Sequence, residues 1–348
     1  MTSPKILLLG EIIHALQSWR QLASLAEIVG PGVETRTEFI EKCRQGGFDG
    51  VVVLHRMYHS VATTGLIDEE LVQALPESVK FICHTGEQHT PSSDYLVNVF
   101  HAGAGYDQID VAACSKRQIQ VSNVPQEVND STADTAIFLM LGALRGFNQS
   151  IMTLRSGSWR GNPSPPLGHD PEGKTLGIIG CGGIGRNMAK KAAAFEMKVV
   201  YYNRTKSDDI TEAEYVSLDD LLGSSDVIAI SLPLNAATRH FLSYKDFDKM
   251  KQGVVVINTA RGPIIDEQAL VDALESGKVW SCGLDVYENE PAVHPGLVAH
   301  PRAMLLPHLG TYTVETHAKM EERCIANVRA ALEKGKVNDL VPEQLGEF

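Results

Sequence analysis

The stretch from Thr175 to Arg204, TLGIIGCGGIGRNMAKKAAAFEMKVVYYNR, constrains the fold of this chain more than any other. Thr175–Gly180 is an apolar run long enough for one buried strand. Gly180-x-Gly182-x-x-Gly185 follows at once, and Ile184, Met188, Ala192 and Phe195 then recur at helical spacing. A second apolar run, Lys198–Tyr202, completes a βαβ unit of about thirty residues. Each glycine has a task in binding a dinucleotide. Gly180 permits the tight turn off the strand, Gly182 lets backbone approach a pyrophosphate, and Gly185 lets the helix pack closely on the sheet. The helix N-terminus offers N–H groups and a partial positive charge to the phosphates. In a chain with 30 glycines the turn alone would say little; strand, turn, helix and second strand together point to a dinucleotide site.

The end of the second strand selects the cofactor. An NAD site places Asp or Glu there for the ribose hydroxyls, but this chain has Asn203, followed by Arg204, Thr205 and Lys206. A carboxylate would repel a 2′-phosphate, whereas Asn, Arg and Thr can hydrogen-bond to it and neutralise it. The residues therefore favour NADPH, with NADH as the alternative.

A length of 348 residues suggests two domains. The hydrophobic share of 43% is ordinary for a globular protein, and no apolar run approaches membrane-spanning length. Net charge is −12 with no basic stretch, which argues against nucleic acid or an anionic membrane as partner. An anionic substrate would need its own local cation. The six cysteines (Cys43, Cys83, Cys114, Cys181, Cys282, Cys324) contain no C-x-x-C pair and suit reduced thiols inside a cell better than a disulfide framework. Cys181, inside the glycine turn, reads as a small packing residue. No metal site is expected. A strand-like run, Lys5–Leu9, begins almost at the N-terminus and leaves no room for a signal peptide, and the final LGEF matches no peroxisomal or ER address; the cytosol is the expected compartment.

Along the chain, strand candidates Lys5–Leu9, Gly50–Leu54, Val79–Cys83 and Ile119–Val121 alternate with helical patterns around Trp19–Ile28, Glu38–Gln45 and Leu66–Leu75. That alternation is the signature of a parallel sheet covered on both faces. Asp130 or Ser131 can cap a long apolar helix through Thr135 to Leu144, of the kind that carries a chain between domains. Arg145–Glu172, rich in Gly, Ser and Pro, reads as a surface arm and a candidate oligomer contact. Beyond the glycine turn come strand candidates Val227–Leu232, Val254–Asn258, Ser281–Val286 and Met304–Leu306, and helices near Asp246–Met250 and Glu267–Ser276. A last helix, about Thr313–Glu333, is long enough to return to the first domain.

The polar residues of interest lie just after these strands, where ligands bind in a doubly wound sheet. Asn258-Thr259-Ala260-Arg261-Gly262 follows one strand, Asp285 ends another and Pro307-His308 follows a third, with Glu290 in the loop after Asp285. Arg261 can hold a carboxylate or polarise a carbonyl through parallel N–H bonds. His308, if protonated, can give a proton to a carbonyl oxygen as hydride reaches the carbon. Glu290 can orient that ring and favour its charged form. A lone Arg or His in such a place is usually a surface charge or a packed ring; it is their common position beside a nucleotide turn that makes them a set.

These motifs resemble the D-isomer-specific 2-hydroxyacid dehydrogenase family, and within it the fungal glyoxylate reductase branch. The matching stretches are Ala104-Gly-Tyr-Asp-Gln-Ile-Asp110, the glycine turn, Leu232-Pro-Leu-Asn-Ala-Ala-Thr238, Asn258–Gly262, Gly283-Leu-Asp-Val-Tyr-Glu-Asn-Glu-Pro291 and Leu306-Pro-His-Leu-Gly310, and they cover nearly the whole chain. The resemblance implies two doubly wound α/β domains, a Rossmann nucleotide domain (126–317) inserted into a flavodoxin-like substrate domain (1–125 and 318–348), with a cleft between them. It implies that Arg261 binds substrate, that His308 is the acid/base and that Glu290 orients it. By the same likeness Asp285 holds the nicotinamide amide, with Thr259 and Ala260 lining that pocket, and Gly183 and Ile184 contact the pyrophosphate. Leu232, Pro233 and Thr238 border the nucleotide and Thr132 reaches it from the hinge helix. The N–H groups of Ala104 and Gly105 grip the substrate carboxylate. The implied activity is NADPH-dependent reduction of a small 2-oxo acid, glyoxylate first, by a homodimer. A bulkier acid of the mandelate or hydroxyisocaproate type is the near alternative, and a cofactor-sensing role like that of the family's corepressors the distant one. Because Glu290 is not Gln, the chain departs from the family's formate dehydrogenases.

One departure stands out. Family members run from a strand directly into the Gly-x-Gly loop, but here Cys83-His-Thr-Gly86 is followed by EQHTPSSDYLVNVFHAG before Ala104. Joining Gly86 to Ala104 would restore a continuous CHTGAGYDQID, which marks Glu87–Gly103 as an insertion, either a retained intron or a true surface loop.

Overall fold

The computed structural model describes residues 3–57, 60–85 and 104–348; the expected insertion, Glu87–Gly103, lies outside them. The chain forms two compact units, one of Met1–Val128 with Thr311–Phe348 and one of Asn129–Gly310. The sequence places these boundaries at 125/126 and 317/318.

The first unit runs β1 (Lys5–Leu9), α1 (Leu16–Ala23), β2 (Glu27–Val29), α2 (Arg36–Arg44), β3 (Val51–Arg56), α3 (Val61–Thr64), α4 (Glu69–Ala74), β4 (Phe81–His84), α5 (Val111–Lys116) and β5 (Gln120–Ser122). All five strands are parallel in the order β2-β1-β3-β4-β5, the flavodoxin-like winding. Buried Val, Ile, Leu and Phe fill β3 and β4, as in a sheet covered on both faces. The helices start where side chains satisfy their first amides: Thr35 and Glu38 form a capping box on α2, and Asp68 and Asp110 accept from Leu71 and Ala113 in α4 and α5.

The second unit continues with α6 (Asn129–Arg145), α7 (Phe147–Arg155), β6 (Thr175–Ile179), α8 (Gly183–Ala193), β7 (Lys198–Tyr202), β8 (Glu214–Tyr215), α9 (Leu218–Ser224), β9 (Val227–Ile230), α10 (Tyr244–Lys249), β10 (Val254–Asn258), α11 (Glu267–Glu275), β11 (Val279–Leu284), α12 (Pro295–Ala299) and β12 (Ala303–Leu305). Its seven parallel strands lie in the order β12-β11-β10-β9-β6-β7-β8. Counted from β6, this is the Rossmann order with one further strand, and its winding reverses between β6 and β9. Met140, Met188 and Ala192 pack one face of the sheet; Leu221, Phe247, Leu270 and Leu274 pack the other. A final helix, α13 (Val314–Lys334), capped by Thr313 and ended by left-handed Gly335, belongs to the first unit.

Three local expectations are corrected. The pattern over Trp19–Ile28 is two elements, because α1 ends at Ala23 and Glu27–Val29 pairs with Lys5–Leu7 as an edge strand. Leu22 and Ala26 are both buried and four apart, so apolar spacing runs on past the helix end and hides the break. The start of α6 lies at Asn129, ahead of Asp130 and Ser131, and Asp130 pairs with Lys191 of α8 at 2.8 Å. The arm after Arg145 contains α7, none of whose residues is buried.

Candidate active site

Strand β6 ends in the glycine turn. Gly180 has φ +94°, and a Cβ there would lie 2.5 Å from the Ser231 carbonyl oxygen at the end of β9. A Cβ on Gly185 would lie 2.6 Å from the Gly180 oxygen, so α8 packs directly on the turn. At Gly182 a Cβ would meet nothing within 4 Å, and no side chain caps the N-terminus of α8 there. The first amides of an eleven-residue helix thus open onto free space, which fits a pyrophosphate. Gly183 begins the helix against the Asn129 side chain, and Ile184 packs on the core beneath.

At the end of β7, Asn203 turns inward: its Oδ1 accepts the Cys181 N–H at 2.7 Å and ties the strand to the glycine turn. Arg204 and Thr205 are exposed, and Arg204 makes no ion pair among the described residues. The loop after β9 is folded by Thr238, whose Oγ1 donates to the Pro233 carbonyl at 2.7 Å and accepts from the Asn235 N–H at 2.8 Å. Leu232 packs under it.

The chemistry-bearing residues lie at the carboxyl ends of β10, β11 and β12. Asn258, almost fully buried, shapes the first turn by accepting from the Ala260 N–H at 3.0 Å and donating to the Arg261 carbonyl at 2.9 Å. Thr259 and Ala260 are buried in that turn, and Arg261 is partly exposed. A Cβ on Gly262 would fall 1.9 Å from the Tyr287 carbonyl carbon, so the Arg261 turn rests on the backbone of the Glu290 loop. Glu290 is held by the Tyr287 N–H at 2.8 Å through Oε1 and meets His308 Nδ1 at 2.9 Å through Oε2. The two side chains retain only 9% and 16% of their exposure, so water weakens this contact little.

His308 adopts φ +56°, uncommon for any residue with a Cβ. The two amides that follow hold the turn: Leu309 and Gly310 donate to Asp285 Oδ1 and Oδ2 at 2.6 and 2.7 Å. Asp285 is 1% exposed, and burial pushes its carboxyl up to about 6 against the pull of His308 and those amides. Thr132 on α6 lies against the same turn, 3.4 Å from where a Cβ on Gly310 would sit. The structure thus gathers Arg261, Asp285, Glu290, His308 and Thr132 within one unit. Ala104 and Gly105 belong to the other unit, in the connection between β4 and α5.

Sequence reasoning missed the residues that brace this set. Glu267, buried at the start of α11, accepts the Glu288 N–H at 2.6 Å, and burial raises its carboxyl above the usual range. Its only sequence signal is its place just after the cap Asp266. Asn258 was visible only as part of a motif. Among the described residues, no group of three or more His, Cys, Asp or Glu is placed to hold a metal, and no single helix is long and apolar enough to cross a membrane.

Residues 137–310 match the family described as D-isomer specific 2-hydroxyacid dehydrogenase, NAD binding domain. The chain is 50% identical to 4-methyl-2-oxopentanoate reductase A of Aspergillus oryzae, over 99% of this chain and 100% of the relative. It superposes with a TM-score of 0.91 on the crystal structure of a glyoxylate reductase from Paecilomyes thermophila, at 50% identity over 99% and 100% of the two chains. The NADPH-dependent glyoxylate/hydroxypyruvate reductase of Sinorhizobium meliloti, solved in complex with NADP and malonate, matches at TM-score 0.81 and 28% identity over 98% of each chain.

Proposed function

The chain belongs to the D-isomer specific 2-hydroxyacid dehydrogenase family of NAD(P)-dependent oxidoreductases, and within it we propose an NADPH-dependent reductase that converts a small 2-oxo acid to the D-2-hydroxy acid, glyoxylate being the first substrate. The observation that carries this reading is the His308–Glu290 pair at 2.9 Å beside the Arg261 turn, on the strand ends of the unit that holds the glycine turn.

NADPH held at that turn would supply a hydride to the carbonyl carbon. Gly182, Gly183 and Ile184 would hold its pyrophosphate by backbone amides, and Arg204 and Thr205 its 2′-phosphate. Arg261 holds the 2-oxo acid and draws electron density toward the carbonyl oxygen. Because Nδ1 of His308 is tied to Glu290, Nε2 is the nitrogen that gives the proton to that oxygen. Glu290 fixes the ring's orientation through Nδ1, and Asp285 fixes the backbone from which the ring projects. The amides of Ala104 and Gly105 hold the carboxylate. NADPH is favoured because the β7 end has no carboxylate to repel a 2′-phosphate, and a relative of this fold was solved with NADP.

A second reading, a branched and bulkier 2-oxo acid, is favoured by the half-identical Aspergillus relative named for 4-methyl-2-oxopentanoate. Purified protein assayed with NADPH against glyoxylate, 4-methyl-2-oxopentanoate and phenylglyoxylate separates the two. Tight NADPH binding with no turnover of any 2-oxo acid would favour a cofactor sensor instead. A homodimer is supported by the apolar side chains that α7 and the arm leave exposed, Trp159 at 79% and Leu167 at 91% among them. The cytosol remains the proposed compartment, consistent with six buried free thiols, and imaging of the tagged chain tests it.

A further inference from the structure

We propose that Asn123 is a positioning residue that aims the Gly105 N–H at the substrate carboxylate, an inference that rests on the reading of Ala104 and Gly105 given above. Asn123 Nδ2 donates to the Ala104 carbonyl oxygen at 2.7 Å. That carbonyl and the Gly105 N–H belong to one planar trans peptide and point in opposite directions. Holding the oxygen therefore fixes where the N–H is aimed. Among the described residues, neither Ala104 nor Gly105 donates its N–H to another group of the chain. These two amides are thus presented and not consumed.

Asn123 is itself fixed. It follows β5, is 8% exposed, and its own carbonyl accepts from Asn327 Nδ2 of α13 at 3.4 Å. Asn327 is fully buried and is locked in turn by the Asn338 and Asp339 amides at 2.9 and 3.0 Å. The far end of the same segment is anchored separately: Gln108 Oε1 accepts from fully buried Arg56 at 3.0 Å, and the Gln108 carbonyl accepts the Ile67 N–H at 2.9 Å. Between these anchors, the only described side-chain hydrogen bond to the Ala104–Gly105 peptide comes from Asn123. Without it the peptide is free to rotate, and an N–H aimed at a carboxylate can give way to a carbonyl oxygen that repels one.

The test uses the holoenzyme with NADPH, comparing KM for the 2-oxo acid that wild type reduces best with KM for its primary amide. In Asn123→Ala the acid's KM should rise about tenfold or more, the amide's should stay within about twofold, and kcat and NADPH affinity should change less than the acid's KM. Should that variant not fold, Asn123→Asp preserves the shape and the bond from Asn327 but sets an acceptor against the Ala104 oxygen, and the acid's KM should rise further. An unchanged acid KM, with wild type still preferring acid to amide, overturns the role of Asn123 and leaves the carboxylate grip standing. Equal losses for acid and amide reduce Asn123 to a structural residue and also overturn it. A wild type that treats acid and amide alike removes the grip, and this inference with it.

Discussion

His308 is set by two carboxylates acting on different parts of it, Glu290 on the ring and Asp285 on the backbone that follows. This division makes the residue separable by mutation. His308→Gln should lower kcat by about 10²–10⁴-fold while NADPH affinity, measured by fluorescence titration, stays near wild type. Asn203 separates in another way, because its Oδ1 accepts the Cys181 N–H of the glycine turn. Asn203→Asp keeps an acceptor for the Cys181 N–H while adding a negative charge beside Arg204. It should therefore weaken NADPH by about tenfold or more with little effect on NADH, as should Arg204→Ala, by comparison of KM for the two cofactors. The sequence points to Arg261 and His308 because each stands shortly after a strand of a doubly wound pattern, and to Glu290 because it lies in the loop after another. Asn123 and Glu267 were not legible in it, because each acts on a backbone group that only the fold brings near.

Element boundaries were legible where a cap or a glycine marked them. Thr313 and Gly335 bracket α13, and Lys5–Leu9 and Val254–Asn258 are strands over the very residues expected. Where neighbouring elements share an apolar spacing, as α1 and β2 do, the sequence shows one element instead of two. The start of α1 has no cap of its own; Glu321 of α13 accepts the amides of Ile13, His14 and Ala15 at 3.1, 2.8 and 2.7 Å from a position 5% exposed. Glu321→Ala removes a charged acceptor from three amides and should destabilise the first unit by about 2–3 kcal/mol, read as a lowered urea midpoint. Helix α7 was hidden for the opposite reason: with none of its residues buried, it has no core-facing stripe to read. If α7 belongs to the proposed dimer contact, Ile151→Glu there should lower the sedimentation coefficient toward that of a monomer without lowering the helix content.

At the scale of the molecule, one buried group in each unit answers pH with opposite sign. His55, fully buried beside Trp19, Met57 and Cys324, has its pKa pushed down by burial to about 3. The unfolded chain then binds the proton more tightly, so His55's contribution to the first unit falls away as pH drops below about 6.5. Asp285, raised by burial from 3.8 to about 6, holds its proton more tightly when folded. Its contribution to the second unit is full below about pH 4 and is lost as pH rises through about 6. Calorimetry at pH 7 and pH 5 should show His55→Gln lessening the loss of stability on acidification, and Asp285→Asn removing a gain on acidification that Asp285 contributes to the second unit.

The interrupted path of the chain orders events at the ribosome. Strands β1–β5 leave the exit tunnel first, yet α13, which packs on β3 and β4, is made only after the whole of Asn129–Gly310 has been synthesised. The nucleotide-binding half can therefore complete itself during translation while the earlier-made sheet waits, one face uncovered, for the last helix to arrive.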